Sequence, residues 1–386
     1  MGWCKVRAQF LAGWFGRSQT DVSLKARSRL CRRSVWVLSV VLGIWLFPVL
    51  AQADCKVETE GTTAATVFTL HLSKTCTEAE REARAVSAKD LMQALAAGKG
   101  VDLSGVVIQG DLLLDELPAQ KVAAVKGLSL EDRRLLEGLN DEEVHVIRGP
   151  FVIQHSRVKG RLVNRLKQGF LLITGPVVLI HSGFSGAVDL SRTIFLGLVD
   201  GSHAKFEQES YFVQDRFTQG AMFSDTRFGP HARYHRSMFT GPAIFRGADF
   251  PGLTEFLEVV FEQDANFSRA AFHMGTGFSG AQCRAKCDFS STQFDREAFF
   301  LFARFDRTVT FASARFQAQT DFSDASFKEA DDLAQATFVR TPVLTRTTRV
   351  TPAVPGRPEA APFSQVGTVA LFVAALGLLI YVLKAK

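Results

Sequence analysis

Tyrosine is nearly missing from this 386-residue chain: there are 3, against 34 phenylalanines. A globular core draws on many apolar types, so this bias points to one packing position used again and again. Length alone would permit two or three domains, but a repeat voids that inference and must be sought first. Basic charge is also missing where a nucleic-acid binder needs it. The net +6 comes from the two ends: residues 1–35 hold eight Lys/Arg and one Asp, and residues 339–386 hold six Lys/Arg and one Glu. Residues 206–338 carry 13 Lys/Arg against 18 Asp/Glu, a net −5. Nucleic-acid binding requires a basic face on the folded part, so no nucleic-acid partner is expected. The chain further lacks a Ser/His/Asp set, a nucleophile elbow and a phosphate loop. It is therefore read as non-enzymatic, with no catalytic, cofactor-binding or metal residue and no cofactor.

The basic ends flank hydrophobic runs. Ser34 to Leu50 is apolar, is preceded by Lys25, Arg27, Arg29, Arg32 and Arg33, and is followed by Ala51-Gln52-Ala53. Basic region, apolar stretch and A-x-A are the parts of a secretory signal peptide, with cleavage expected after Ala53. The basic flank is long for such a signal, so either the start lies downstream or the segment stays as an anchor. Asp54 before Cys55 does not suit a lipoprotein box, and Gly2-Trp3-Cys4 lacks the Ser/Thr of a myristoylation signal. Val366 to Leu383 is an uncharged run of 18 residues, roughly 27 Å as a helix and enough to cross a bilayer core. A Pro- and Thr-rich stretch leads into it, and Lys384 and Lys386 follow it. Positive residues favour the cytoplasmic side. The body is thus expected in the periplasm or outside the cell, held at the inner membrane by one C-terminal helix.

Export bears on the cysteines. Cys55 and Cys76 flank a Thr-rich stretch that ends in strand-like alternation. They are a candidate disulfide in an oxidising compartment, worth ~3 kcal/mol in the chain-entropy model; free thiols are the alternative. Cys4 and Cys31 lie in the signal segment.

The phenylalanines fall into one ladder. It runs Phe206, Phe212, Phe217, Phe223, Phe228, Tyr234, Phe239, Phe245, Phe250, Phe256, Phe261, Phe267, Phe272, Phe278, Cys283, Phe289, Phe294, Phe300, Phe305, Phe311, Phe316, Phe322, Phe327, Leu333, Phe338. Steps alternate between six and five, so the period is eleven. The register reaches back through Phe195, Leu190, Phe184, Leu179 and Ile173, with Gly201 as a gap. Two residues before each rung stands something small or short, as in Ala204, Ser210, Asp215, Ala221 and Thr226. Helical faces recur at three and four, strand faces at two. Neither fits; a side of five or six residues followed by a corner does.

In this spacing the chain resembles the pentapeptide-repeat family, in its Phe-rich variant with the approximate motif A-x-F. Ala265-Asn266-Phe267-Ser268-Arg269-Ala270-Ala271-Phe272 and Thr320-Asp321-Phe322-Ser323-Asp324-Ala325-Ser326-Phe327 carry the match. The resemblance covers about residues 173–338. It implies an all-β solenoid: a right-handed quadrilateral β-helix with four sides and 22 residues per coil, so that i and i+22 stack. Seven to eight coils would follow, a rod of roughly 36 Å at ~4.8 Å per layer, and both ends would need caps. The expected organisation is a basic extension and signal peptide at 1–53, a small α/β N-terminal cap region with degenerate early coils at 54–172, the β-helix at 173–338, a Pro/Thr-rich linker at 339–365 and a transmembrane helix at 366–383. Within the cap region, Ser87 is set to cap a helix through about Ala97, with Leu91, Leu95 and Ala96 inward. Ser129-Leu130-Glu131-Asp132 reads as a capping box opening a short helical insertion. Residues 151–172 read as irregular coil edges.

Three motifs invite a sharper reading. Gly275-Thr276-Gly277-Phe278-Ser279-Gly280 spells G-x-G-x-x-G, which needs a strand before it and a helix after it; Phe278 is a rung, so the solenoid takes it. His231 and His235 have a metal-like spacing, but Tyr234 between them points inward and no Cys or carboxylate cluster completes a site. Cys283 and Cys287 occupy a rung and a small position, where buried free Cys acts as a small hydrophobe; a disulfide within one coil is the alternative. Outward Asp, Glu and Arg read as a solvated face. The function expected is a membrane-anchored extracytoplasmic scaffold or protein-interaction module of unknown partner. The alternatives are an enzyme or ligand-binding accessory subunit with its site in residues 56–170, and a DNA mimic of the gyrase-protecting type. The resemblance also implies end-to-end homodimers.

Overall fold

The computed structural model describes residues 55–60 and 66–350. The signal-like segment at 1–53 and the apolar run at 366–383 lie outside them. Among the described residues no helix is long and apolar enough to cross a membrane.

The body is an all-β solenoid with four sides. Most strands are only two residues long, and each pairs in parallel with its equivalent one coil on. One side is an 11-stranded sheet, and the third and fourth sides carry nine and ten strands. The second consists of two five-stranded sheets joined by bridges between Lys205, Arg227 and Asp249. The pairing offset is a constant 22 from Val177 onwards: Val177 pairs with Val199, Val199 with Ala221, Ala221 with Ala243, and Ala243 with Ala265.

This offset stacks the rungs. None of the 21 phenylalanines from Phe206 to Phe327 named in the ladder is more than 3% exposed. Along the axis, rings 22 apart lie parallel: Phe228 on Phe250 at 4.5 Å and 5°, Phe245 on Phe267 at 5.0 Å and 2°. Across the axis, neighbouring rungs meet edge to face, as Phe245 and Phe256 do at 5.2 Å and 81°. Both arrangements suit the ring quadrupole. The small residues two positions earlier are buried as well, and their hydroxyls secure corners. Thr226 Oγ1 donates to Gly201 O at 2.7 Å, and Thr292 Oγ1 to Phe267 O at 2.8 Å. At the gap in the ladder, Gly201 is required because the Phe223 ring fills the space: an added Cβ would lie 2.7 Å from two ring carbons.

The solenoid begins and ends beyond the span expected from the repeat. Val101 pairs with Phe151, an offset of 50, and Phe151 with Val177, an offset of 26. Residues 151–172 are therefore a regular coil rather than irregular edges, made with Phe151–Gln154, Arg157–Val158, Leu162–Val163 and Phe170–Ile173. Four extra residues between the last two strands hide the period. The preceding coil carries 28 extra residues between Leu112–Leu113 and Glu143–Ile147. At the other end, Val343 N–H donates to Thr320 O at 2.9 Å and Phe327 N–H to Thr348 O at 2.8 Å. Residues 339–348 thus lie on the last coil, not in a free linker; the rest of the expected linker, 351–365, is outside the described residues.

Ahead of the first coil, β1 (Val57–Glu60) runs antiparallel to β2 (Val67–Leu72), which joins the 11-stranded sheet. Helix α1 (Glu78–Ala83) opens on a Thr77/Glu80 capping box. Helix α2 (Ala88–Ala96) is capped by Ser87 and buries Ala88, Leu91, Ala94 and Leu95 against the core. Ala96 is exposed, and Ala94 takes the inward place, because the buried stripe follows the helical three-and-four spacing. Cys55 and Cys76 are joined by a disulfide, S–S 2.10 Å.

One structural feature has no signal in the hydrophobic pattern. Every second corner holds a residue at positive φ, eleven apart along the chain, as at His181 (53°), Arg192 (63°), His203 (58°), Gln214 (60°) and Asp225 (53°). Between His181 and Asp324 glycine fills this corner only at Gly247 and Gly280, so elsewhere the packing imposes the left-handed turn on side-chain-bearing residues.

Replacing Phe256 by Ala is expected to destabilise the solenoid by about 3–5 kcal/mol, and Gly201 by Ala about 1–3 kcal/mol through collision with Phe223. Phe302→Ala, at a ring 60% exposed, should change stability by no more than about 0.5 kcal/mol. Denaturant unfolding of the three variants checks the order.

Candidate functional site

A regular solenoid with two-residue sides has no concavity, so a site must come from its outward residues or from its interruptions. On the outside, charges form pairs 22 apart that tie one coil to the next. Examples are Arg236 with Glu258 at 2.8 Å, Arg284 with Glu262 at 2.8 Å, Lys328 with Asp306 at 2.6 Å and Arg346 with Asp324 at 2.6 Å. Exposed pairs of this kind contribute little to stability. His273 bridges Asp249 (3.0 Å) and Asp295 (2.7 Å), and on the third side Arg233 lies over the Tyr211 ring and reaches Glu255, which also meets His231.

The 28-residue insertion breaks this pattern. It contains Ala119–Lys121, which pairs antiparallel with Glu143–Ile147, and α3 (Leu130–Leu135), opened by the Ser129/Asp132 capping box. Its Val122, Val125 and Leu136 form a second core with the outward side chains Val144, Val146, Phe170, Leu172, Ile194 and Leu196 of the fourth side. These strands are longer than elsewhere and apolar on both faces because both faces are covered. One coil further on, Arg216 stands in register with Ile194, and Met238 follows it.

At this boundary a cavity of about 380 Å³ opens under the edge of the insertion. Leu139, Phe170, Ile194 and Met238 supply apolar wall; Arg192, Gln214, Arg216, Arg236 and Glu142 supply polar wall, with Asp215 also lining it. Arg192 Nε donates to Gly169 O at 2.9 Å, Arg216 Nη1 to Leu135 O at 3.4 Å, and Arg236 Nε to Glu258 at 2.8 Å. Asp215 is 2% exposed. Its Oδ1 accepts the Thr193 N–H at 2.8 Å, its own N–H donates to Ser237 Oγ at 2.9 Å, and Oδ2 has no partner among the described residues. Burial pushes this carboxyl well above the usual carboxylate range, with the Thr193 N–H opposing. The hydroxyl of Tyr234, the one tyrosine in the ladder, is likewise buried without a partner among the described residues.

A second cluster lies at a corner. His155, His181 and His203, all at positive φ, stack their imidazoles at 5.0 Å and 4.5 Å. Loss of solvent around the His155 ring lowers its pKa below the ordinary value, and His181, Lys74 and Arg81 lower it further. The spacings of 26 and 22 that align these rings become readable only once the four-residue insertion is known.

The residues singled out in the sequence fall as follows. The ladder phenylalanines are core. Thr276–Gly277 is a strand and Phe278 is buried, with the next strand at Gln282–Cys283, so no helix follows the glycines. His231 and His235 turn to different carboxylates, Glu255 at 3.2 Å and Glu258 at 3.9 Å. Among the described residues no group of three or more His, Cys, Asp or Glu is placed to hold a metal. Cys283 and Cys287 correct the expectation of free thiols: they form a disulfide, with Cα atoms 6.1 Å apart. Both point inward across one corner, which brings a rung and the next small position within bonding reach.

The family model for pentapeptide repeats, in nine copies, matches residues 234–282. No curated protein and no solved structure matches the chain. The matched segment is built of pentapeptide repeats, and the same spacing continues in register on either side of it.

For His155, a folded pKa below the unfolded one means the neutral form is favoured by folding. Its contribution is present above about pH 6.5 and is lost as pH falls through the lowered folded value. Unfolding midpoints measured between about pH 5 and 7 should therefore drop on the acid side, and His155→Gln should shrink that drop. Equal slopes in both proteins would remove the assignment.

Proposed function

We propose that this protein is a non-catalytic scaffold or interaction module held at a membrane outside the cytoplasm, with its N-terminal elements capping the solenoid and a C-terminal helix as anchor. A pentapeptide-repeat solenoid is a rigid rod with a long regular surface, and solenoids bind through such faces. The observation that carries the location is the cysteine chemistry: all four cysteines of the described residues are in disulfides, Cys55 with Cys76 and Cys283 with Cys287. Structural disulfides persist in oxidising compartments and are rare in the cytosol. The signal-like and apolar runs at the ends agree with that reading. A DNA mimic needs dense unpaired negative charge. Here acids such as Asp324, Glu258 and Glu262 are neutralised by basic residues one coil away.

Two measurements test this. Maleimide labelling in intact cells, without reductant, should leave Cys55, Cys76, Cys283 and Cys287 unmodified, and all four should label after unfolding and reduction. Labelling before reduction would place the body in a reducing compartment. Cross-linking the full chain in its native membrane, through a tag near Pro355, should recover a reproducible envelope partner. Recovery of the protein alone would replace the scaffold with a self-assembling rod.

A further inference from the structure

We propose that the notch under the insertion is a binding site for a small organic oxyanion, a carboxylate or phosphate head on a compact apolar body. The inference goes beyond the scaffold reading and stands or falls without it.

Many basic residues of the solenoid surface meet an acid 22 positions away, as Arg233 meets Glu255 and Arg346 meets Asp324. Arg192 instead has Gln214 at that offset, and Arg216 stands between Ile194 and Met238. Neither is paired with an acid among the described residues. Both are nevertheless held. Arg192 is fixed through Nε to Gly169 O, which leaves both terminal nitrogens for another acceptor, and Arg216 is tethered through one nitrogen to Leu135 O. Arg236, one coil further on, adds a third guanidinium, itself positioned by Glu258.

The charges converge on one cavity. Arg192, Arg216 and the Glu258-paired Arg236 line it together with the carboxyl groups of Glu142 and Asp215, and the cavity volume of about 380 Å³ lies in the range of small-molecule sites. Burial pushes the Asp215 carboxyl well above the usual carboxylate range, with the Thr193 N–H opposing. A guanidinium fork matches carboxylate and phosphate oxygens alike. The apolar lining of Leu139, Phe170, Ile194 and Met238, two of which flank Arg216 in register, fits a ligand with a short hydrophobic body better than a bare ion. Wall residues come from the insertion and from four successive coils, so the geometry is built into the fold rather than borrowed from one loop.

The test is titration calorimetry of the full-length chain in neutral detergent with phenyl phosphate, phenylacetate and inorganic phosphate. Saturable binding of phenyl phosphate or phenylacetate, tighter than inorganic phosphate, is expected, and the tighter of the two names the head group. Arg216→Gln should weaken binding about tenfold or more. Met238→Glu sets a carboxylate in register with Arg216 and should abolish binding, while thermal unfolding shows the solenoid intact. Three outcomes would overturn the proposal: no binding of any probe at about 10 mM, inorganic phosphate binding as tightly as the phenyl compounds, or unchanged affinity in both variants.

Discussion

Everything in this molecule depends on a match between two spacings. Parallel strands one coil apart sit ~4.8 Å from each other, and aromatic rings stack favourably with centroids from 4.5 Å upward. A phenylalanine every 22 residues satisfies both at once. Backbone pairing fixes the layer height, and the rings of Phe217 and Phe239, at 4.5 Å and 6°, fill that height without strain. Leucine or valine would also be buried, but neither is flat enough to present one face along the axis and an edge across it. The edge-to-face contacts, such as Phe289 with Phe300 at 89°, join adjacent sides. Axial stacks alone would leave four separate columns; the perpendicular contacts make them one core.

The same match explains what the chain sacrifices. Only one residue in five or six is committed to the ladder and one to the small position before it, so outward residues are free to vary. Yet the corners demand left-handed backbone at residues such as His181, Arg192 and Gln214, and few of these are glycine. Conformations that cost about 1–3 kcal/mol each persist where the surroundings over-determine them. Here the two flanking sides, each hydrogen-bonded above and below, leave the corner no alternative. Its side chains are thrown outward in register, which stacks three imidazoles and aligns the acid–base pairs.

Legibility followed periodicity. From Phe206 to Phe338 the rung residues, the small positions and the 22-residue stacking were readable from spacing, because a single residue type marks every layer. Before Phe184 the rungs become Leu179, Ile173, Asn164, Val158 and Ile153, and insertions of 28 and 4 residues shift the count, so a regular coil at 151–172 looked irregular. After Phe338 the rungs are Leu344 and Arg349, and a coil that still pairs at Val343 and Thr348 read as linker. Helix starts at Ser87 and Ser129 were readable because capping is local. The disulfide between Cys283 and Cys287 was not, since residue type gives burial but not the distance across a corner. The cavity was invisible for the same reason: its arginines are 24 and 20 apart in the chain, while Leu139 reaches it from the insertion.

A perfect solenoid offers long faces and no hollows. Much of its outward chemistry is that of a ladder, in which charges such as Arg284 and Lys328 find a counter-charge one layer away. To hold something small, such a fold must be interrupted, and the interruption must cover part of a face while leaving the next layer open. The 28-residue insertion does this: it makes Leu172, Ile194 and Leu196 interior and ends one coil short of Arg216. The register that pairs Arg236 with Glu258 gives Arg216 a neighbour in Met238 and Arg192 one in Gln214. A rod that served only as a spacer would have no need of a second core on one side, nor of three guanidiniums gathered where the regular pairing stops. The departure from the repeat, rather than the repeat itself, is where recognition specific to this chain is concentrated.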